Sequence, residues 1–128
     1  MGKLSKSNFM RFWFPAIVYS GIIFIASSVP NVRTPLAEFG FDKMLHILEY
    51  VPFGFLVNRA LSGTWSIQSG RAVGFWVILL TFLYAASDEF HQSFVPGRSL
   101  SSLDLTADTI GGAVGGCLYA LVNSIRNR

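Results

Sequence analysis

The sequence predicts an all-α fold, an integral membrane bundle of four antiparallel helices with both chain termini in the cytoplasm. Its 128 residues are 52% hydrophobic and only 13% charged, whereas a soluble domain is about 25% charged. A chain of this length forms one domain, and so small a domain could not bury this much apolar surface in its core. The apolar residues also fall into long stretches joined by short linkers, which is typical of a helical membrane protein. The composition excludes a disordered chain, and the single cysteine, Cys117, excludes an internal disulfide framework.

Four spans are predicted within a single domain that covers residues 1–128. They extend over about residues 12–32, 44–61, 72–94 and 104–125. The first contains no charged residue and is long enough to cross about 30 Å of hydrocarbon as a helix. Pro15 lies near its start, where the missing N–H is tolerated. Because backbone polar groups in lipid must be satisfied within the segment, spans of this length should be α-helices.

The second span is the least apolar of the four, because it carries His46, Glu49 and Arg59. It is predicted to cross the membrane, because the other three spans can then cross in alternating directions. The third span is uncharged until Asp88, near its outer end. The fourth contains two overlapping GxxxG patterns in residues 111–116, and glycines at this spacing let helices approach closely in lipid. Either the neighbouring helices of the bundle or a second copy of the chain could pack against this glycine face.

Basic residues predict the orientation of the bundle. Seven of the ten fall on one side of the predicted membrane: Lys3, Lys6, Arg11, Arg59, Arg71, Arg126 and Arg128. The other three, Arg33, Lys43 and Arg98, fall on the opposite side. Because segments rich in lysine and arginine stay in the cytoplasm, both termini are expected there.

Acidic residues and histidines gather on the outer side of this topology. The group comprises Glu38, Asp42, His46, Glu49, Asp88, Glu89, His91, Asp104 and Asp108. Helical spacing arranges them in stripes, because residues four and seven apart share one face, as do Asp42, His46 and Glu49. A charge that faced lipid would cost a few kcal/mol or more, so the stripes are expected to line a polar pocket that opens outward. Asp88 and Glu89 are about 100° apart around their helix and are not expected to face the bundle centre equally.

Three ordered motifs lie in this outer layer. The first is Asp42-Lys43-x-x-His46-x-x-Glu49-Tyr50, the second is Tyr84-x-x-x-Asp88-Glu89-x-His91-Gln92-x-Phe94-Val95-Pro96-Gly97-Arg98, and the third is Asp104-x-x-x-Asp108-x-x-Gly111. Together they resemble the motifs of the VanZ-like family, whose naming member is linked to low-level resistance to teicoplanin, a glycopeptide with a lipid tail. The resemblance implies a small multi-pass protein of the bacterial plasma (inner) membrane with its site at these motifs. It brings no agreed catalytic mechanism, and many members carry Asn at the position of Asp108.

Carboxylates and histidines grouped near a membrane surface are suited to general acid–base catalysis. The candidate catalytic residues are His46, Glu49, Asp88, Glu89 and His91. The candidate substrate-binding residues are Asp42, Tyr50, Tyr84, Gln92, Arg98, Asp104 and Asp108. Arg98 is suited to a phosphate or carboxylate, so a cell-envelope lipid, a lipid-linked precursor or a lipophilic glycopeptide is the expected partner. No nucleic-acid partner is expected.

The sequence leaves other functions open. The pocket could bind a lipid or an antibiotic without catalysis. A homodimer formed through the glycine face of span 4 could transport a solute, with Glu49 and His46 relaying protons. The pairs His46–Glu49 and Asp88–His91 could instead only lock the helices together. No cofactor is identified, but His46, Glu49 and His91 are candidate metal ligands, since imidazole and carboxylate groups suit zinc or a similar ion.

Overall fold

The computed structural model of the protein describes residues 6–30, 41–65 and 69–128. Over this part of the chain it contains four α-helices and no β-strand. The helices are α1 (Lys6–Ser27), α2 (Asp42–Thr64), α3 (Gly70–Gln92) and α4 (Ser102–Arg126). The expected all-α fold is therefore confirmed for the described residues, with one helix in the place of each predicted span. Lys3, Arg33, Glu38 and the last two residues of the first predicted span lie outside the described residues.

Three of these helices, α1, α3 and α4, are long and apolar enough to cross a membrane. Helix α2 has a similar length of 23 residues, but His46, Glu49 and Arg59 make it less apolar. Large apolar side chains cover the outward surfaces of α1, α3 and α4. Ile25, Phe75 and Leu121, for example, are 68%, 61% and 58% exposed. An apolar surface of this extent needs an apolar environment, which indicates a membrane protein.

Helices α2 and α4 pack with their backbones in direct contact. A Cβ atom added to Gly111 would overlap the backbone of Ile47, and one added to Gly115 would overlap the backbone of Val51. The two contacts advance together along both helices, so α2 and α4 run in the same direction. Only residues without a side chain allow backbones to approach this closely, which explains the GxxxG patterns of α4.

The glycine face of α4 is used within the chain. All four glycines in residues 111–116 are buried. Gly112 and Gly116 lie against α3, at Thr81 and Val77 respectively. Their backbones also contact α2, at Gly54 and Asn58. Of the two uses considered for this face, contact inside the bundle is therefore the one that the structure contains.

Helix α1 is attached to α2 by hydrogen bonds at two levels. Trp13 Nε1 donates to Thr64 Oγ1 at 3.1 Å, and the Tyr19 hydroxyl donates to the backbone carbonyl of Glu49 at 2.8 Å. Apolar side chains from α1, α2 and α3 fill the space beside these contacts. The buried core cluster consists of Ile23, Tyr50, Phe53, Val57, Leu61, Val73, Val77 and Ala85. The first contact thus joins the early part of α1 to the end of α2, and the second joins the later part of α1 to the first half of α2.

Many of the polar side chains lie together at one end of the bundle. The first turns of α2 meet the first turns of α4, where His46 contacts Asp108. The last turn of α3 lies beside them, because Glu89 accepts a hydrogen bond from Ser101 just before α4. We call this part of the molecule the polar end.

Candidate functional site

The loop between α3 and α4 directs Arg98 across the polar end. Gly97 in this loop has a φ of 78°, a left-handed conformation that glycine adopts without strain. Arg98 follows it, and its Nε donates to the carbonyl of Val29 at 3.0 Å. Its Nη1 donates to Gln92 Oε1 at 3.1 Å. The guanidinium group therefore connects the loop to the end of α3 and to the segment that follows α1.

Ser101 connects the same loop to both helices. Its hydroxyl oxygen accepts a hydrogen bond from the backbone N–H of Asp104 at 3.2 Å and so caps the N-terminus of α4. Its own backbone N–H donates to Glu89 Oε2 at 2.8 Å. Glu89 on α3 is consequently held against the start of α4.

A histidine–aspartate pair joins α2 to α4. His46 Nδ1 lies 2.9 Å from Asp108 Oδ1, and the Asp108 side chain is 0% exposed. The other ring nitrogen, Nε2, lies 3.9 Å from Asp104 Oδ2. The imidazole is therefore placed between two carboxylates of α4. Asp104 lies in the first turn of this helix, at the outer edge of the polar end, which we call the rim, and Asp108 lies one turn deeper in the bundle.

Lys43 supplies a positive charge at the rim, outside the predicted span. Its Nζ donates to both Asp104 and Asp42. Burial alone would lower the pKa of Lys43, but the hydrogen bonds and charges of the two carboxylates outweigh burial and raise this pKa above its ordinary value. Lys43 therefore stays protonated and offsets part of the acidic charge.

A second polar chain runs from α2 through α3 to Arg98. Gln92 Nε2 donates to Asp88 Oδ2 at 3.1 Å, and the Tyr50 hydroxyl reaches the same oxygen at 3.5 Å. Because Gln92 Oε1 also accepts from Arg98, the amide orients Asp88 and Arg98 relative to each other. Tyr50, Asp88, Gln92 and Arg98 thus form one connected set.

Asp88 and Glu89 are both buried, with 4% and 1% of their surface exposed. The sequence led us to expect that they would not face the centre equally, and the structure buries them in different surroundings. Asp88 contacts Tyr50 of α2, whereas Glu89 contacts the backbone that leads into α4. Both can be enclosed because α3 is flanked by α2 on one side and by α4 on the other.

Three other candidates lie toward α1. His91 Nε2 is 2.9 Å from Ser28 Oγ, and its ring stacks on Phe24 with the centroids 4.3 Å apart. The Tyr84 hydroxyl donates to the backbone carbonyl of Ser20. Among the described residues, neither His46–Glu49 nor Asp88–His91 forms a hydrogen bond. Each histidine instead bonds to a residue outside its own helix, His46 to Asp108 and His91 to Ser28. Glu49 lines a cavity together with Ala26 and Ser27 of α1.

Two adjoining cavities lie between these side chains and form the polar cleft. The larger has a volume of about 290 Å³ and is lined by Asp42, Lys43, His46, Gln92, Gly97, Arg98, Ser99, Ser101 and Asp104. The smaller has a volume of about 160 Å³, shares four of those residues and adds Ala26, Ser27, Leu45 and Glu49. The cleft brings acids, a histidine and two cationic side chains together around a space of ligand size.

Comparison with known proteins gives the same family as the motifs. A family model described as VanZ/LLP1 matches residues 3–123, nearly the whole chain and all three motifs. The chain belongs to the VanZ/LLP1 family. No curated protein and no solved structure matches this member.

Among the described residues of this VanZ/LLP1 protein, the polar end contains two groups of side chains that could each bind one metal ion. They are Asp42, His46 and Asp104 at the rim, and His46, Glu89 and Asp108 deeper in the bundle. Within each group the potential ligand atoms lie within 4.8 Å of one another. Of the three ligands proposed from the sequence, His46 belongs to both groups, whereas Glu49 and His91 belong to neither.

Sequence reasoning did not assign Ser28 or Asn58 to this arrangement, and it considered Ser101 only as one of several serines that could act as a nucleophile. Ser101 could have been found, because Ser-x-x-Asp before a helix is a common N-terminal pattern. Asn58 is buried deeper, where its Nδ2 donates to the carbonyl of Gly116 at 2.8 Å. Ser28 follows α1, and its contact with His91 depends on how α1 packs against α3, for which the sequence carries no signal.

Proposed function

We propose that this VanZ/LLP1 protein crosses the bacterial plasma membrane four times as a single antiparallel bundle, with both termini in the cytoplasm. Basic residues support this orientation, because Arg59, Arg126 and Arg128 lie at the end opposite the polar cleft. The contact of Trp13 with Thr64 supports opposite directions for α1 and α2. In this orientation the cleft opens toward the outer surface.

The cleft, in our proposal, binds the polar headgroup of a cell-envelope lipid or of a lipid-linked or lipophilic glycopeptide. The observation that carries the proposal is a cleft of mixed charge enclosed by helices with apolar outer surfaces. An amphiphile fits such a site, because its headgroup meets the polar side chains while its tail stays in the bilayer. Resistance to teicoplanin-type antibiotics would follow if the protein sequesters the drug or alters access to its target.

Arg98 is the residue that we expect to hold an anionic headgroup. A guanidinium group has five N–H donors, and the described contacts of Arg98 use its Nε and Nη1. The remaining donors belong to a side chain that lines the cleft, where they can form charge-assisted hydrogen bonds with phosphate or carboxylate oxygens.

The binding test compares Arg98→Ala with Arg126→Ala, a matched arginine at the opposite end of the bundle. We expect Arg98→Ala to reduce co-purified anionic lipid, measured by native mass spectrometry, by about 10-fold or more, since one hydrogen bond to a charged group contributes about 1.5–3 kcal/mol. Arg126→Ala should retain the wild-type amount. Teicoplanin tolerance of cells that carry each variant gives the second measurement.

Arg98→Lys separates a positioning role from a binding role, because lysine keeps the charge but loses the planar fork. A folded Arg98→Ala protein that retains as much lipid as Arg126→Ala would remove the headgroup proposal. Folding is checked by elution as a single species in mild detergent.

Catalysis at the same cleft is the second candidate, and the His46–Asp108 pair favours it. A buried carboxylate on one ring nitrogen fixes the tautomer and orientation of an imidazole that acts as a general base through the other. The outer-leaflet lipid profile separates the two candidates. An enzyme creates or removes a lipid species when the protein is expressed and not when Glu49→Gln or His46→Gln is expressed, whereas a binding protein leaves the profile unchanged.

A further inference from the structure

Three carboxylates of the polar end, those of Asp88, Glu89 and Asp108, have a buried oxygen without a hydrogen-bond partner among the described residues. Two of them, Glu89 and Asp108, lie together with His46. Asp108 Oδ1 bonds to His46, and Glu89 Oε2 accepts from the Ser101 N–H. In the part of the chain that the structure describes, the other oxygens, Asp108 Oδ2 and Glu89 Oε1, are buried and have no hydrogen-bond partner. The two residues are 0% and 1% exposed, so bulk water does not solvate them. Buried carboxylate oxygens are normally paired, bonded or bound to a metal ion.

His46 lies with these two carboxylates in one compact group. The potential ligand atoms of His46, Glu89 and Asp108 all lie within 4.8 Å of one another. Tetrahedral coordination with bonds near 2.1 Å separates ligand atoms by about 3.4 Å. Movements of the three side chains by about 1 Å would therefore bring their ligand atoms to coordination distance of one ion.

The surroundings of His46 also match those of a metal-bound histidine. Such a histidine binds the metal through one ring nitrogen and directs the other toward a carboxylate or carbonyl that fixes its orientation. His46 has a carboxylate beside each ring nitrogen, Asp108 near Nδ1 at 2.9 Å and Asp104 near Nε2 at 3.9 Å. Asp104 is beyond hydrogen-bond distance of Nε2, so it would orient the ring from outside the coordination sphere after moving closer by about 1 Å.

We propose that His46, Glu89 and Asp108 bind a divalent metal ion of the zinc class. One imidazole nitrogen and two carboxylates form a mixed nitrogen–oxygen donor set, which suits Zn²⁺ and related first-row ions. The ion neutralises the Glu89 and Asp108 carboxylates, each of which has an unpartnered oxygen. His46 also lines the polar cleft, so a further coordination position would be accessible to water or to a headgroup oxygen.

The rim group of Asp42, His46 and Asp104 is a weaker candidate for the same ion. Lys43 already donates to both of its carboxylates, and a metal ion there would have to displace or repel this ammonium group. The Asp42 side chain is also 46% exposed, so water stabilises it. The deeper group has neither feature.

The test uses the full chain in mild detergent, purified through a tag without histidine and stripped with EDTA. We expect isothermal titration with Zn²⁺, followed by elemental analysis after desalting, to give about one equivalent of zinc per chain. Glu89→Gln and Asp108→Asn should each weaken zinc binding at least 10-fold. Asp88→Asn is the matched control, because Asp88 is a buried carboxylate on α3 beside Glu89 but lies outside the group, and it should retain the wild-type affinity.

Cobalt gives a second readout that does not depend on the stability of the carboxylate variants. Co²⁺ bound to the wild-type protein should show the visible bands of low-coordinate cobalt, and His46→Cys should add a thiolate charge-transfer band in the near ultraviolet. A wild-type protein that retains no zinc after desalting overturns the proposal. Equal losses in Asp88→Asn and Glu89→Gln, or a His46→Cys spectrum without the new band, also overturn it.

Discussion

At the scale of single residues, His46 and Asp108 form a contact that joins α2 to α4 at the polar end. Asp108 is fully buried, and His46 is the side chain that bonds to it at 2.9 Å. Removing one member of a buried pair leaves the other without compensation, which costs more than the pair itself contributes. The contact therefore matters for stability whether or not the pair acts in catalysis.

His46→Ala should lower the free energy of unfolding by about 3–5 kcal/mol, because it leaves the Asp108 carboxylate buried without its partner. The measurement is SDS-induced unfolding of the protein in mild detergent with EDTA present, so that metal loss does not contribute. The double variant His46→Ala/Asp108→Ala should be more stable than His46→Ala alone, since it removes the orphaned carboxylate as well.

Glu49→Gln provides the comparison for this experiment. Glu49 lies one turn from His46 on the same helix and lines the smaller cavity, but its carboxylate forms no hydrogen bond among the described residues. The Glu49→Gln substitution should change the free energy of unfolding by less than about 1 kcal/mol. A loss as large as that of His46→Ala would show that any polar change in α2 is destabilising and that the pair has no special role.

At the scale of the elements, the contact between α2 and α4 fixes the geometry of the site. His46 directly precedes Ile47, the residue whose backbone meets Gly111, and Asp108 lies about one turn before Gly111. The histidine–aspartate distance therefore depends on how closely the helices approach. A glycine substitution in this contact should disturb the site as well as the fold.

Gly115→Ala should destabilise the protein by about 1–3 kcal/mol or more, as overpacking does in other cores. The added Cβ overlaps the backbone of Val51, and a backbone cannot move aside as a flexible side chain can. Gly74→Ala in α3 and Gly21→Ala in α1 are matched controls, because a Cβ at either position meets nothing within 4 Å. These controls should be neutral or slightly stabilising, since alanine favours a helix by up to about 1 kcal/mol. Equal melting temperatures for Gly115→Ala and Gly74→Ala would contradict the close contact.

The sequence predicts the helices better than it predicts the partners of their side chains. The third span was placed at residues 72–94, and α3 covers Gly70–Gln92, because uncharged runs bounded by polar residues mark a span directly. The partner of His46 was sought at Glu49, on the same helix, and is instead Asp108, 62 positions away. Helical spacing reports which residues share a face but not which helix packs against it, and this limit also hid the contact of His91 with Ser28.

At the scale of the whole molecule, charge is distributed unequally between the two ends. Lys43 and Arg98 lie at the polar end, where Lys43 contacts two acids and Arg98 contacts a glutamine and a backbone carbonyl. Arg59 lies at the other end, where it contacts the carbonyls of Arg11 and Phe12. Lys43 and Arg98 thus contact side chains of the polar cleft, whereas Arg59 contacts backbone carbonyls at the opposite end, which faces the cytoplasm in the proposed orientation.

This distribution predicts which end reacts with a reagent that cannot cross the membrane. In a background with Cys117→Ser, a single cysteine is introduced at Ser99 in the loop of the polar cleft or at Asn127 after α4, both exposed positions. We expect a membrane-impermeant maleimide to label Ser99→Cys in intact cells and Asn127→Cys only after permeabilisation. The reason is that seven of the ten basic residues fall on the predicted cytoplasmic side, and positively charged segments near a span resist translocation. The opposite labelling pattern would place the cleft in the cytoplasm and would exclude an outer-leaflet lipid or an external antibiotic as its ligand.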